Sequence, residues 1–518
     1  MPEYLHPGVY IEEIERGPRP IEGVATSTAA FLGETERGPT RPRMITGYSD
    51  YLRWFGDVFA PDNYMPHAVN GFFENGGKRA VICRIVNRPA TVAFHNFGDL
   101  KVSATGAGGW GNQVHVEIKP SRTEIPDPNN PTTSIPMGIR IQAAYWNPPP
   151  PGGPFNPFDE PDRLPRPVWA EEFDDLSLAE SSGDFLKKRV NGNSALIELE
   201  LTNSTGQPNV TPTALAPLAG GGEAGGPPDS ADFDGDDANP AQRIGLKALL
   251  LDEYREVSLV YAPGITTPNG KDTLTKIIGH CEKQKFRFAV IDCAPHTGTP
   301  GDPRTAIQES QYAAFYYPWI HISDPRTGAR KLAPPGGHVL GIYARTDTER
   351  GVFKAPANEV VRGALDLEYR INDEIQDSFN PKGINATRLF PGRGILLWGA
   401  RTLSSNTLWK YVSVRRLFIF LEASIYEGTQ WVVFEPNDER LWARVKDTIR
   451  LFLRTQWREG AMMGKTEQEA FFITCDRTTM TQDDILNGRL ICEIGIAPVR
   501  PAEFVIFRIF QNTAEAQT

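Results

Sequence analysis

Asp292, Cys293 and His296 are the residues best suited by type and spacing to chemistry. They close the apolar run Phe286 to Asp292, which reads as a buried strand, and a strand-end carboxylate is where α/β enzymes place catalytic groups. The helical stretch before it, Lys271 to Lys285, carries His280 and Cys281, so four side chains could be drawn around a zinc ion. The pairs lack a Cys-x-x-Cys knuckle, and adjacent residues on a helix point about 100° apart, so His280 and Cys281 cannot share a face. The set reads as structural. Asp232-Phe233-Asp234-Gly235-Asp236-Asp237 resembles a calcium loop but places its glycine fourth, where an EF-hand needs it sixth. Phe390-Pro391-Gly392-Arg393-Gly394 lacks the third glycine and the Lys-Ser/Thr of a phosphate loop and reads as a turn before the strand Ile395 to Trp398. No catalytic residue, metal ligand or cofactor is assigned.

The totals point the same way. A chain of 518 residues with 40% hydrophobic and 23% charged residues has room for two to four cores. No apolar run approaches the ~20 residues of a membrane span, and Met1 to Pro7 shows no signal-peptide pattern, so synthesis and assembly in the cytoplasm are expected. Five scattered cysteines argue against a disulfide framework. Of 54 basic and 64 acidic residues, 20 of each fall in 361–518, which leaves 34 against 44 in residues 1–360. An acidic first part argues against nucleic-acid binding.

The elements follow in order. Residues 1–22 read as an arm, with Val9, Tyr10, Ile11 and Glu12 in a short strand between Pro7-Gly8 and Gly17-Pro18. Val24 to Gly33 and Ala80 to Val86 read as strands around a helix from Met65 to Glu74, with Ser49 capping another through Phe55. Residues 91–240 read as a β-rich insertion, with strands over Leu100 to Ala104, Val114 to Ile118, Gly138 to Trp146 and Ala195 to Leu201. It also holds a proline-rich loop at 147–167 and an acidic linker. The α/β pattern resumes with a helix from Ala241 to Glu253 and strands at Val257 to Tyr261, Phe286 to Asp292 and Tyr312 to Ser323. The expectation is one discontinuous α/β domain, 23–90 plus 241–355, interrupted by the insertion.

Residues 356–502 form the last predicted domain. Val360 to Phe379 reads as amphipathic, Val412 to Glu427 as a helix, Thr429 to Glu435 as a strand, and the longest helix starts at Asn437 or Asp438 and runs to about Trp457. On that helix Leu441, Val445, Ile449, Phe452 and Leu453 fall within roughly 0–120°, and Arg440, Arg444, Arg450, Arg454 and Arg458 within roughly 180–300°. The basic face is either solvated or a dock for an acidic partner. Strands are expected at Arg489 to Ile496 and Glu503 to Gln511. In the segment 503–518, Phe504, Ile506, Arg508 and Phe510 alternate with Val505, Phe507 and Ile509, so the run is apolar on both faces. Such a strand is normally central, whereas chain ends normally fray. It is therefore either tucked into its own domain or donated to a neighbour.

The chain resembles a contractile phage tail sheath protein, of the kind found in contractile-tailed phages and phage-tail-like injection systems. The resemblance is carried by Pro7-Gly8-Val9-Tyr10-Ile11-Glu12-Glu13, Gly71-Phe72-Phe73-Glu74-Asn75-Gly76-Gly77 and Gly341-Ile342-Tyr343-Ala344-Arg345-Thr346-Asp347. It is densest in Lys354-Ala355-Pro356-Ala357-Asn358-Glu359, Trp398-Gly399-Ala400-Arg401-Thr402-Leu403 and Gly428-Thr429-Gln430-Trp431-Val432-Val433-Phe434-Glu435-Pro436-Asn437. It ends in Pro498-Val499-Arg500-Pro501-Ala502-Glu503-Phe504-Val505-Ile506 and is weak over about 120–240.

The resemblance implies a mixed α/β, multidomain subunit of stacked hexameric rings in a helical sheath, with an outer insertion and an inner, tube-facing C-terminal domain. Arms at both ends, Val9 to Glu12 and Phe504 to Phe510, are expected to add strands to neighbours, with Gly17-Pro18 and Pro498 to Pro501 as hinge-like leads. Implied partners are further copies of the chain, an inner tube protein, a baseplate and a tail terminator or cap, with no nucleic acid and no membrane span. The basic helix is the expected tube contact. The implied particle is assembled in a bacterial cytoplasm and released by lysis. A non-polymerising baseplate or adaptor component and a cytosolic α/β enzyme are the competing readings.

Overall fold

The structure is a computed structural model that describes residues 20–127, 130–203, 208–222, 226–236, 243–295 and 301–508. The chain divides into a large unit, 25–415, and a small unit made of 1–24 and 416–518.

The large unit opens with β1 (Ala29–Gly33), β2 (Arg43–Ile45), α1 (Tyr48–Phe55), α2 (Met65–Glu74) and β3 (Ala80–Arg84). Both β1 and β3 are buried along their whole length and pair in parallel, as strands covered on two faces do. The chain then leaves the sheet for β4 (Phe94–Phe97), β5 (Leu100–Ala104), β6 (Val114–Pro120), β7 (Glu124–Asp127), β8 (Asn130–Pro136), β9 (Ile139–Tyr145), β10 (Trp169–Leu176), α3 (Leu186–Val190), β11 (Ile197–Leu201) and β12 (Thr213–Pro217). These strands form antiparallel sheets ordered β11-β5-β4 and β10-β9-β6-β12, with β7 and β8 as a separate hairpin. Alternation puts Leu100, Val102 and Ala104 inward, and they share a core with Val116, Ile141, Leu199 and Trp110.

The second half supplies α4 (Ser230–Asp234), α5 (Gly245–Ala248), β13 (Leu259–Tyr261), α6 (Lys271–Gln284), β14 (Phe288–Asp292), β15 (Ala313–Tyr317), β16 (Ile320–Ser323), β17 (Arg330–Ala333), α7 (Gly336–Arg350), β18 (Glu359–Val360), β19 (Ala364–Leu367), α8 (Asp373–Phe379), β20 (Ile384–Phe390) and β21 (Gly394–Leu397). The resulting nine-stranded sheet runs β18-β21-β20-β15-β14-β13-β1-β3-β2. Its centre is parallel, and both ends carry antiparallel strands. The two halves of the chain thus meet in one sheet with the β insertion between them.

Five expectations change. Residues 359–397 complete the large sheet, so the stretch after 356 belongs to the large unit and not to the start of a C-terminal domain. Val360 to Phe379 is not continuous: Gly363 at φ +79 turns the chain into β19, and Asn372 caps the short α8 by accepting the Ile375 N–H. The helix expected over 241–253 shrinks to α5, whose first residue, Gly245, sits at φ +63 with the Phe233 carbonyl where a side chain would go. Ser49 lies inside α1, whose N-cap is Gly47. The segment read as linker holds β12 and α4, where Asp229 and Asp232 form a capping box and Asp232 also pairs with Arg88 at 2.9 Å.

α2 and α7 pack through glycine. A Cβ on Gly337 would lie 2.3 Å from the Ala68 carbonyl oxygen, and one on Gly341 2.5 Å from the Phe72 carbonyl oxygen. Backbone cannot yield as a side-chain tip can, so Gly337→Ala forces the helices apart. The expected loss is about 1–3 kcal/mol in urea unfolding. Gly279→Ala on α6 meets nothing within 4 Å and is expected to stabilise by about 0.5–1 kcal/mol.

Candidate assembly interface

The residues that pointed to chemistry are held in the fold. The Asp292 carboxylate accepts from the Tyr261 hydroxyl, and from the Gly336 N–H at 2.9 Å where α7 begins. Arg287 contacts His280 at 2.7 Å. Burial lowers His280 to about 3, with Arg287 adding to it, and raises the Cys281 thiol to about 12. Burial also lifts Cys293 well above its ordinary value. His296 lies outside the described residues. Among the described residues no three His, Cys, Asp or Glu side chains converge on a possible metal position.

Asp292 still leaves a measurable trace. Burial lifts its carboxyl to about 7 against the ordinary 3.8, and the two hydrogen bonds oppose the shift. Between those values the folded chain holds a proton that the unfolded chain has released. This stabilising contribution is complete below pH 3.8 and is lost as pH rises through about 7. Asp292→Asn is expected to remove up to ~1.4 kcal/mol per pH unit of falling stability across that window, read from urea titrations at pH 5, 6 and 7.

The small unit is built differently. It takes in the helix α9 (Val412–Gly428) from Arg416 onward, followed by α10 (Glu439–Arg458), α11 (Glu467–Ala470), β22 (Phe471–Thr474), α12 (Gln482–Leu486) and β23 (Glu493–Ile496). Asp438 caps α10 by accepting the Leu441 N–H, and Phe420 of α9 meets Phe452 of α10 with ring centroids 6.0 Å apart. The N-terminal segment is pinned to α9. Val24 N–H donates to Ser424 Oγ at 3.1 Å, and Ile21 fills the space beside Gly428, where a Cβ would lie 2.6 Å from it. Val9, Tyr10, Ile11 and Glu12 precede this anchor and lie outside the described residues.

The expected strand over Thr429 to Glu435 is replaced by a 3-10 turn at Gln430–Val432. Phe434 sits fully exposed at φ +69, a conformation no strand accommodates. The sequence reading missed β22, although Phe471-Phe472-Ile473-Thr474 is rich in strand formers.

β22 and β23 form a two-stranded antiparallel sheet, and among the described residues no further strand lies on either outer edge. A two-stranded ribbon is marginal alone, and open edges are templates for another strand. The chain that follows is tied down briefly. Ala497 N–H donates to Ala470 O at 2.9 Å and Val499 N–H to Ala461 O at 3.2 Å. Half of the expected hinge at Pro498 to Pro501 is therefore fixed. Beyond it, Phe504, Val505, Ile506, Phe507 and Arg508 form no strand, and the four apolar side chains are 69–84% exposed. Ile509 and Phe510 lie outside the described residues.

The five arginines of α10 are not an open row. Arg444 pairs with Glu435 at 2.9 Å and lies over Trp431, while Arg450 and Arg454 share Glu467 at 3.1 and 2.8 Å. Arg440 and Arg458 are exposed and have no ion pair among the described residues. No described helix is long and apolar enough to cross a membrane.

A mixed α/β chain with an open-edged sheet among its described residues and an exposed apolar arm has the form of a subunit of a larger assembly. Residues 237–403 match the phage tail sheath protein central domain, and residues 404–512 the phage tail sheath C-terminal domain, together more than half of the chain. The chain belongs to the phage tail sheath family. It is 26% identical over 275 residues to a putative prophage major tail sheath protein of Pseudomonas aeruginosa, covering 52% of this chain and 69% of that one. It is 23% identical over 278 residues to the tail sheath protein of Escherichia phage P2, covering 52% and 67%. Its fold matches a chain of the six-fold symmetrised anti-feeding prophage baseplate at TM-score 0.57 and 24% identity, over 98% of this chain and 100% of that one. It also matches a chain of the contracted PVC sheath complex of an extracellular contractile injection system at TM-score 0.57 and 22% identity, over 99% and 100%.

Proposed function

We propose that this chain polymerises as stacked hexameric rings around an inner tube and contracts from a metastable extended state to drive that tube through a target envelope. The observation that carries the reading is the presence, within one small unit, of an open-edged β22–β23 sheet and an exposed apolar arm that pairs with no strand among the described residues. Phe504 to Phe510 of one copy and Val9 to Glu12 of another add strands to β22–β23 of a third, with main-chain hydrogen bonds supplying the join. Such contacts are heterologous and do not close between rings, so they propagate a filament. The six-fold baseplate and contracted sheaths among the structural relatives support this stacking and contraction.

Contraction is then a rigid-body repacking of subunits into a lattice with more buried contact, with the donated strands still paired. The energy is stored when the extended lattice assembles and is held by a kinetic barrier, so the cycle needs no bound nucleotide and no catalytic residue. The chain meets the baseplate at one end of the sheath and a terminator at the other, binds no nucleic acid, and is assembled in the cytoplasm for release by lysis.

The test is negative-stain microscopy of the full-length chain beside one ending at Arg500, each co-expressed with a tube protein. Striated tubes from the first and none from the second are expected; equal striated tubes from both overturn the arm's role.

A further inference from the structure

Cys475 and Cys492 flank the β22–β23 ladder. The register pairs Phe471 with Ile496 and Thr474 with Glu493 without a shift, so one step further sets Cys475 opposite Cys492. The Ala497 N–H donates to Ala470 O, which marks 470 and 497 as a hydrogen-bonded pair. Five residues along, an odd count, 475 and 492 form a non-hydrogen-bonded pair, the closer of the two kinds, with Cα atoms about 4.5 Å apart. That spacing lies inside the range a disulfide spans. The two thiols are close enough that each is the leading influence on the other's acidity, with Cys475 buried and Cys492 half-buried. No other described pair of cysteines stands opposed across a strand pair: Cys83 is in β3, Cys281 in α6 and Cys293 just past β14, all buried.

We propose that Cys475 and Cys492 are a redox pair that closes to a disulfide in the native chain when it meets a small-molecule disulfide such as oxidised glutathione. The more accessible Cys492, as thiolate, attacks one glutathione sulfur, forming a mixed disulfide and releasing one glutathione thiolate. Cys475, as thiolate, then attacks Cys492 Sγ, forming the Cys475–Cys492 bond and expelling the second. Two cysteine thiols are oxidised, one glutathione disulfide is reduced to two glutathiones, and the two cysteine protons pass to the leaving thiolates.

The surroundings suit the closing step. The neighbouring Cys492, with the Lys446 ammonium adding to it, holds the Cys475 thiol below its usual range despite burial, so it is poised as the resolving thiolate. The same contact raises Cys492, so its accessibility and not its acidity makes it the entry point. The bond would close the loop that carries α12, already tied at its neck by the Thr479 hydroxyl donating to Ile491 O at 2.9 Å. On the reading of β22–β23 as the acceptor of a neighbour's strand, the link fixes that sheet once the particle leaves a reducing cytoplasm.

The test is incubation of the folded, full-length chain with oxidised glutathione, followed by thiol counting and peptide mapping without reduction. The free chain is used, so the result does not depend on strand donation. Free thiols are expected to fall from five to three, with a single linked peptide joining 475 to 492 and a Tm higher by roughly 5–10 °C. Cys492→Ser, close in size and on the half-buried side, is expected to retain its fold, to give no linked peptide and to lose the Tm rise. Five free thiols after oxidation, glutathione left bound at Cys492, or linkage seen only after denaturation would overturn the proposal.

Discussion

A chain carrying Phe504→Asp and Ile506→Asp is expected to fold normally and to fail to polymerise. In the free chain both side chains are exposed, at 72% and 78%, so their replacement removes no packing. Unfolding free energy should change by no more than ~0.5 kcal/mol. On the proposed strand donation, the same positions become buried against a neighbour's sheet in the lattice. Burying an apolar side chain of this size contributes about 1.5–3 kcal/mol, and two carboxylates at these positions add a desolvation cost. The loss repeats at every subunit, so the expected result is absence of striated tubes and not merely shorter ones. Thermal melting together with microscopy reads both parts. A fall in melting temperature with assembly retained would mean that the segment belongs to its own unit.

The second large effect concerns the tube. Arg440→Glu with Arg458→Glu reverses the two α10 arginines that have no ion pair among the described residues. Exposed charge contacts contribute only about 0.2–1 kcal/mol each, but if α10 is the tube contact, reversal turns attraction into repulsion at every subunit along the tube. Tube coating is expected to disappear at physiological salt, while sheath polymers formed without tube persist. Arg450→Gln with Arg454→Gln should behave differently. Those side chains are already committed to Glu467, so the change is expected to lower stability by about 0.5–1.5 kcal/mol and leave coating nearly intact. If the two double variants coat the tube equally well, α10 is not the tube contact.

Much of this was legible in the residues because local and tertiary preferences agree. The α2 bounds of Met65–Glu74 follow from its apolar spacing and the Asn75-Gly76-Gly77 stop, and α10 follows from its apolar stripe and the Asp438 cap. The parallel strands show as unbroken apolar runs because both faces are covered. The tail around Ile506, apolar on both faces, already posed the choice between a strand of its own unit and one donated to a neighbour, and its exposure leaves the first without support. What stayed hidden depends on backbone that the pattern does not encode. Gly363 and Phe434 at positive φ turn segments whose composition suggests a helix and a strand. The join of 359–397 to the large sheet rests on pairing with β15, some seventy residues earlier in the chain. The facing of Cys475 and Cys492 needs β22, and the basic face of α10 looked bare because Glu467 returns to it only in three dimensions.

The most direct measurement of the central claim is photo-cross-linking from benzoylphenylalanine placed at Phe507 in assembled tubes. A ladder of covalently joined chains is expected, with the linked peptides mapping to 471–474 or 493–496 of a different copy. Cross-links confined to single chains in intact striated tubes would contradict strand donation and place the segment in its own subunit.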